Sequence, residues 1–133
     1  MAATHVELVA PSRNLFSGEA EMLVCRTAGG EIAFLANHAP YLGALEPGVV
    51  RVIPESGDEL RVAVHGGFVA VRDNRVTVLA DVAETADEID VARARRAREQ
   101  AEQRVAQAGA DGDAEAEAAL RRAEVRLEVG GQA

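Results

Sequence analysis

The apolar and polar positions of this chain follow two different periods, and the change between them falls at one place. Up to about residue 84, short apolar runs alternate with polar residues, the period of strands with one buried face. Val6-Glu7-Leu8-Val9 stops before Pro11-Ser12-Arg13-Asn14, and Ala20, Met22 and Val24 alternate with Glu19 and Glu21 ahead of Ala28-Gly29-Gly30. Glu31-Ile32-Ala33-Phe34-Leu35 ends at Asn37-His38-Ala39-Pro40. Residues 41–45 lead to Glu46-Pro47-Gly48, where proline presets φ and Gly48 is expected to take the positive φ of a type II turn. Val50-Arg51-Val52 turns at Glu55-Ser56-Gly57-Asp58, and Leu60, Val62 and Val64 alternate before His65-Gly66-Gly67. Phe68 to Val71 and Val76 to Ala80 flank Asp73-Asn74, two residues that tolerate a tight hairpin turn. Apolar runs spaced roughly eight to twelve residues apart predict a β-sandwich or barrel.

Beyond this point the pattern becomes that of an Ala/Arg/Glu helix. Thr85-Ala86-Asp87-Glu88 has capping-box spacing, so a helix is expected from about Asp87 to Ala108. Residues 108–113 break it, and Asp113 is placed to cap a second helix from about Ala114 to Glu128, which stops at Gly130-Gly131. The inward residues are expected to be Ile89, Ala92, Val105, Ala108, Ala119, Leu120, Ala123 and Leu127. Helices this short depend on packing, and an Ala-dominated face offers few methylenes, so a hairpin that docks weakly and can open is expected. No a/d heptad survives Gly109 and Gly112, which argues against a long coiled coil. The expected fold class is all-β plus α: an N-terminal β-sandwich over residues 1–86, then a C-terminal antiparallel two-helix hairpin over residues 87–133.

Composition narrows the function. The net charge of −8 argues against nucleic acid and against direct docking on anionic lipid. Six Arg face twelve acids in residues 1–87, whereas eight Arg face ten acids in the remainder, so the acidity belongs to the strand-rich part. No apolar run approaches the roughly 18 residues of a membrane span, and Met1-Ala2-Ala3-Thr4-His5 does not open like a secretory signal. Cys25 is the only cysteine, which excludes an internal disulfide and reads as a small buried strand residue. Aromatics make up 3 %, so the core is expected to be Val, Leu, Ile and Ala around Phe16, Phe34 and Phe68. His5, His38 and His65 are the acid–base candidates, yet no HxH, HExxH, nucleophile elbow or paired-Cys spacing accompanies them, so neither catalytic nor metal-ligating residues are assigned.

Six fragments in order resemble the epsilon subunit family of bacterial rotary F-type ATP synthases over nearly the whole chain. They are Phe16-Ser17-Gly18, Gly30-Glu31-Ile32 through Asn37-His38-Ala39-Pro40, Leu45-Glu46-Pro47-Gly48, Gly66-Gly67-Phe68, Val76-Thr77-Val78-Leu79-Ala80 and Ile89-Asp90-x-x-Arg93-Ala94. The resemblance implies a non-catalytic central-stalk subunit of a proton-translocating ATP synthase, peripheral on the cytoplasmic face of the bacterial cell membrane. Its sandwich would clamp the gamma subunit and sit on the c-ring, with the loop containing Glu31, Asn37 and His38 facing the ring. Its tail would reach the alpha/beta catalytic subunits and inhibit ATP hydrolysis, with Arg95, Arg98, Arg104 and Arg121 among the contacts.

Ile89-Asp90-x-x-Arg93-Ala94 also resembles an ATP-binding motif of some of these subunits. That resemblance implies Ile89, Asp90, Arg93, Ala94, Arg122 and Arg126 as nucleotide contacts, with ATP a regulatory ligand and no cofactor required. The plain alternative for Asp90 is an acid in the first helical turn, favoured by the helix dipole. The alternative for the tail arginines is pairing with helix neighbours three or four residues away. The alternative for the whole chain is a small β-sandwich binding module with a helical interaction tail.

Overall fold

The computed structural model describes residues 2–131; Met1, Gln132 and Ala133, which end the two expected domains, lie outside the described residues. Strands β1 (Thr4–Ala10), β2 (Arg13–Thr27), β3 (Gly30–Leu35), β4 (Tyr41–Leu45), β5 (Gly48–Pro54), β6 (Leu60–Val64), β7 (Gly67–Arg72), β8 (Arg75–Ala80) and β9 (Ala83–Thr85) precede helices α1 (Val91–Gln107) and α2 (Ala114–Val129). The sandwich-plus-hairpin fold class expected from periodicity is the one observed.

β2 joins the layers. Its first half pairs with β1 through Thr4↔Ala20, and its second half pairs with β3 and β5 through Leu23↔Phe34 and Leu23↔Val52. One layer runs β1-β8-β7-β4, with β1 parallel to β8 and the other pairs antiparallel. The other holds β3, the second half of β2, β5, β6 and β9. Period-2 alternation directs Val6, Leu8, Leu23, Val52, Val62 and Val78 between the layers, where all are buried. Phe34 is the largest of the buried side chains. Cys25 is buried there too, and burial pushes its thiol up to about 12.

Four expectations need correction. Phe68 is outside the core: Gly67, Val69 and Val71 take the inward positions of β7, so Phe68 points outward. Gly48 begins β5 without a positive φ; its missing Cβ instead makes room for the Arg26 side chain, whose Cβ would lie 2.9 Å from an added methyl. The first α-helix starts at Val91, because Ala86–Glu88 close a separate 3₁₀ turn and Ile89 and Asp90 are extended. The Thr85/Glu88 capping box serves that turn. Ala92 is consequently exposed, and Ala94 and Ala101, two helical turns apart, are the buried residues of α1.

The two-residue turn at Asp73-Asn74 is as expected, with φ of 53° and 57° closing the Arg72↔Arg75 pair. Asp113 caps α2 by accepting from Ala116 N at 3.0 Å. In α2, Ala116, Ala123 and Leu127 form one buried stripe, while Val125 and Val129 pack with Ile89 and Val91 on Val49 and Ala63 of the second layer. The apolar contact between hairpin and sandwich is therefore a small cluster separate from the main core.

Candidate functional site

The outer face of β4, β7 and β8 is apolar where an antiparallel sheet facing water is ordinarily polar. Leu42 pairs with Ala70, Ala44 with Phe68, and Phe68 with Leu79, so these residues lie side by side across three strands. Leu42 is 76 % exposed, Phe68 55 % and Leu79 54 %. Contiguous apolar surface of this kind marks a protein-interaction site. Beside it, Tyr41, Leu42 and Thr77 line a shallow depression with Arg72, Asp73 and Arg75.

Asn74 fixes one end of this face. Its Oδ1 accepts from Asn37 N at 2.7 Å, its Nδ2 donates to Ala3 O at 2.9 Å, and its carbonyl accepts from Thr4 Oγ1 and His5 N at 2.9 and 3.1 Å. The Asn37–Pro40 segment, the start of β1 and the β7–β8 turn are thereby fastened together. His38 sets its ring edge against Phe34 with centroids 4.8 Å apart, and its Nδ1 lies 2.7 Å from Ala39 O. Glu31 is not in this loop, contrary to expectation. It stands at the opposite end of β3, in register with Arg26, and lines a groove between the second layer and α2 with Arg51 and Arg121.

A second constellation gathers where the connector meets the hairpin. Glu84, Glu88, Asp90, Arg93, Ala94, Ala97 and Arg126 line a cleft of about 280 Å³. Asp90 caps α1, its Oδ1 accepting from Arg93 N at 3.0 Å, which is the plain role for an acid there. Arg126 Nε donates to Glu84 Oε1 at 2.7 Å. Glu88 takes two hydrogen bonds from Arg13 at 2.6 Å each, and these, ahead of its bonds to Thr85, pull its carboxyl down to about 2. Ile89 is buried in the hairpin cluster. Arg122 lies outside the cleft lining and donates to Glu115 at 3.1 Å.

Three tail arginines pair beyond the three- or four-residue spacing of helix neighbours. Arg104 reaches Asp113 at 3.3 Å, nine residues on, Arg122 reaches back seven residues to Glu115, and Arg126 bonds Glu84 across 42 residues. Arg95 is exposed on α1, Arg98 is half-buried on the same helix, and Arg121 lines the groove with Glu31. Helix α1 carries five Arg against two Glu, a basic rod on an acidic protein.

The sequence does not mark Leu42 and Leu79 as surface contacts, and Phe68, expected in the core, is placed outward by its phase against Val69 and Val71. Arg13, Asn74, Glu84 and His65 find their partners 19 to 75 residues away, and no local signal marks those pairings.

The family model described as "ATP synthase, Delta/Epsilon chain, beta-sandwich domain" matches residues 3–86, and "ATP synthase, Delta/Epsilon chain, long alpha-helix domain" matches residues 87–131. The ATP synthase epsilon chain of Streptomyces avermitilis is 48 % identical over 126 residues, spanning 95 % of this chain and 94 % of that one. The epsilon chain of Thermobifida fusca is 50 % identical over 126 residues, spanning 92 % and 88 %. A chain of the Euglena gracilis mitochondrial ATP synthase structure, described as OSCP/F1/c-ring in rotational state 1, superposes with a TM-score of 0.82 at 26 % identity, covering 96 % of this chain and 81 % of that one. A chain of the Tetrahymena thermophila central stalk/c-ring structure shares the fold, with a TM-score of 0.66 at 14 % identity.

Proposed function

This chain belongs to the ATP synthase delta/epsilon chain family, and from that premise we propose that it is a central-stalk rotor subunit with a regulatory helical tail. It has no catalytic turnover of its own. Its sandwich couples the gamma subunit to the c-ring of a proton-translocating ATP synthase. It sits peripherally on the cytoplasmic face of the membrane, and no helix among the described residues is long and apolar enough to cross one.

The observation that carries this reading is the bare face of Leu42, Phe68 and Leu79. Torque passes only through a contact that does not slip, and aromatic and aliphatic anchors on a rigid sheet supply one. The gamma subunit covers this face. The Asn37-His38 segment, held by Asn74, meets the c-ring, and Glu31 contributes from the other sheet only if the ring surface spans both. The tail bears on the alpha/beta catalytic subunits when it leaves the sandwich, presenting the basic α1 with Arg95, Arg98 and Arg104; Arg121 follows on α2. Binding of isolated gamma subunit to the wild-type chain and to Phe68→Asp tests the docking face. At least tenfold weaker binding by the variant is expected, and equal binding removes the face from the interface.

A second reading has one specific observation in its favour: Asp90, Arg93, Ala94 and Arg126 converge on a single cleft. ATP bound there would hold the docked hairpin, because Arg93 near the start of α1 and Arg126 near the end of α2 can both meet phosphate at the sandwich end of the hairpin. At 100 times its Kd it would stabilise that state by about 2.7 kcal/mol. Binding requires Arg126 to exchange Glu84 for phosphate. Isothermal titration with ATP tests it, with heat expected for wild type and lost in Arg93→Ala; no heat at millimolar ATP removes the reading.

A further inference from the structure

We propose that His65, Glu84 and Arg126 form a proton-sensitive latch, which holds the helical hairpin on the sandwich in neutral solution and releases it on acidification. The proposal extends the reading of the tail as mobile, but its test uses the isolated chain, so it stands or falls apart from any effect on ATP hydrolysis.

The three groups meet where α2 crosses β6 and β9. His65 follows β6, its backbone N donating to Val82 O at 2.9 Å, and its side chain is only 5 % exposed. Its Nε2 lies 3.2 Å from Glu84 Oε1, the same oxygen that accepts from Arg126 Nε at 2.7 Å. Its Nδ1 is buried with no partner among the described residues. This arrangement suits a neutral imidazole with the proton on Nε2: one N–H meets a carboxylate, and the other nitrogen keeps a bare lone pair. Protonation would put a second N–H on Nδ1 with nothing to accept it, the costly case of an unsatisfied buried donor.

The surrounding charge is divided, with Glu84 favouring the imidazolium and the two arginines of α2 opposing it. Glu84 of β9 contributes the facing negative charge, and α2 contributes Arg126 and Arg122. Asp81, at the end of β8, lies over the neighbouring Gly66. Burial first, and Arg126 next, hold the imidazole below its ordinary range. Undocking removes both arginines and opens His65 to water while Glu84 stays on the sandwich edge. The undocked state therefore binds a proton more readily than the docked one.

The sign follows from linkage. The docked state binds fewer protons, so its advantage is whole above the ordinary histidine value near 6.5 and shrinks as the pH falls below it. One proton changes the docking equilibrium by at most about tenfold per pH unit. The apolar part of the contact is small, formed by Ala63, Ile89, Val125 and Val129 with Val49 and Val91.

The test is the distance between spin labels at Ser56→Cys and Glu117→Cys, two exposed positions on sandwich and α2, followed from about pH 7.5 to about pH 5. Buried Cys25 stays unlabelled. The docked fraction is expected to fall with acid in the wild-type background and to stay constant in His65→Gln, whose amide donates to Glu84 without titrating. A docked fraction that is flat in the wild type, or that falls equally in both, overturns the latch. If His65→Gln does not dock at neutral pH, the imidazole resonance of His65 decides. A titration midpoint lower in the wild type than in an undocked Val125→Asp chain supports the proposal, and an equal or higher one overturns it.

Discussion

Arg13 grips Glu88 with two guanidinium nitrogens at 2.6 Å each, across 75 residues of sequence, and so fastens the β1–β2 turn to the last turn before the helices. Arg13 also donates to Ala83 O at 3.1 Å, and Glu88 accepts from Thr85 N at 2.9 Å. The connector thus belongs to the sandwich as far as Glu88, which puts the pivot of the hairpin at Ile89-Asp90. The Glu88 carboxyl, lowered to about 2 chiefly by Arg13, gives this strap a pH dependence. Because the folded value is depressed, the contribution is present above the ordinary value of 4.5 and lost as pH falls through about 2. In Arg13→Ala the Glu88 midpoint moves up toward 4.5, read from its carboxyl carbon by NMR; an unmoved midpoint contradicts the strap.

Phe34 and Phe68 make opposite predictions although both are strand phenylalanines. Phe34 is fully buried, so Phe34→Ala lowers stability by about 3–5 kcal/mol. Phe68 is exposed, so Phe68→Ala changes stability by no more than about 0.5 kcal/mol. Urea denaturation of the two variants separates core from docking face, and equal losses would place Phe68 back in the core.

Gly67 is the tightest backbone approach in the sandwich. At its φ of 130°, an added Cβ would stand 2.1 Å from the backbone oxygen of Leu79 on the paired strand. Backbone cannot yield as a side chain does, so Gly67→Ala forces the β7–β8 ladder apart. The strained conformation alone costs about 1–3 kcal/mol. A fall in thermal midpoint of several degrees is expected, and a wild-type midpoint contradicts the geometry.

Asn74 holds three chain segments through its side chain and carbonyl. Asn74→Ala removes the bonds to Asn37 N and Ala3 O and leaves a residue poorly suited to a φ of 57°. A loss of about 1–3 kcal/mol is expected, with faster hydrogen exchange at Asn37. Asn74→Gly keeps the turn and loses the bonds, so faster exchange at Asn37 in both variants assigns the effect to the side chain; protection kept in Asn74→Gly assigns it to the turn.

The layer architecture was legible because strands and helices leave different periods, and each inward Val and Leu of β1, β6 and β8 announces its face locally. Asp113 and the Asp73-Asn74 turn were legible for the same reason, being decided within four residues. The start of α1 is not legible locally, because Arg13, 75 residues away, shares Glu88 with Thr85 and so holds Ala86–Glu88 in a separate turn. The same displacement turns Ala92 to the exposed face and Ala94 to the buried one. Among candidate site residues, Asp90, Arg93 and Arg126 do meet in one cleft, whereas Glu31 and His38 lie at opposite ends of β3. The exposed apolar face is harder to read, because Leu42, Phe68 and Leu79 come together only through the pairing of β4, β7 and β8.

The most direct measurement is ATP hydrolysis by the matched catalytic head, with the full chain added and separately with a chain ending at Glu88, which keeps the Arg13 strap intact. Both forms are expected to bind the head, the full chain to inhibit hydrolysis, and removal of the hairpin to relieve the inhibition. Inhibition that persists without the hairpin would contradict the regulatory role of the tail, and failure of both forms to bind would contradict the rotor assignment itself.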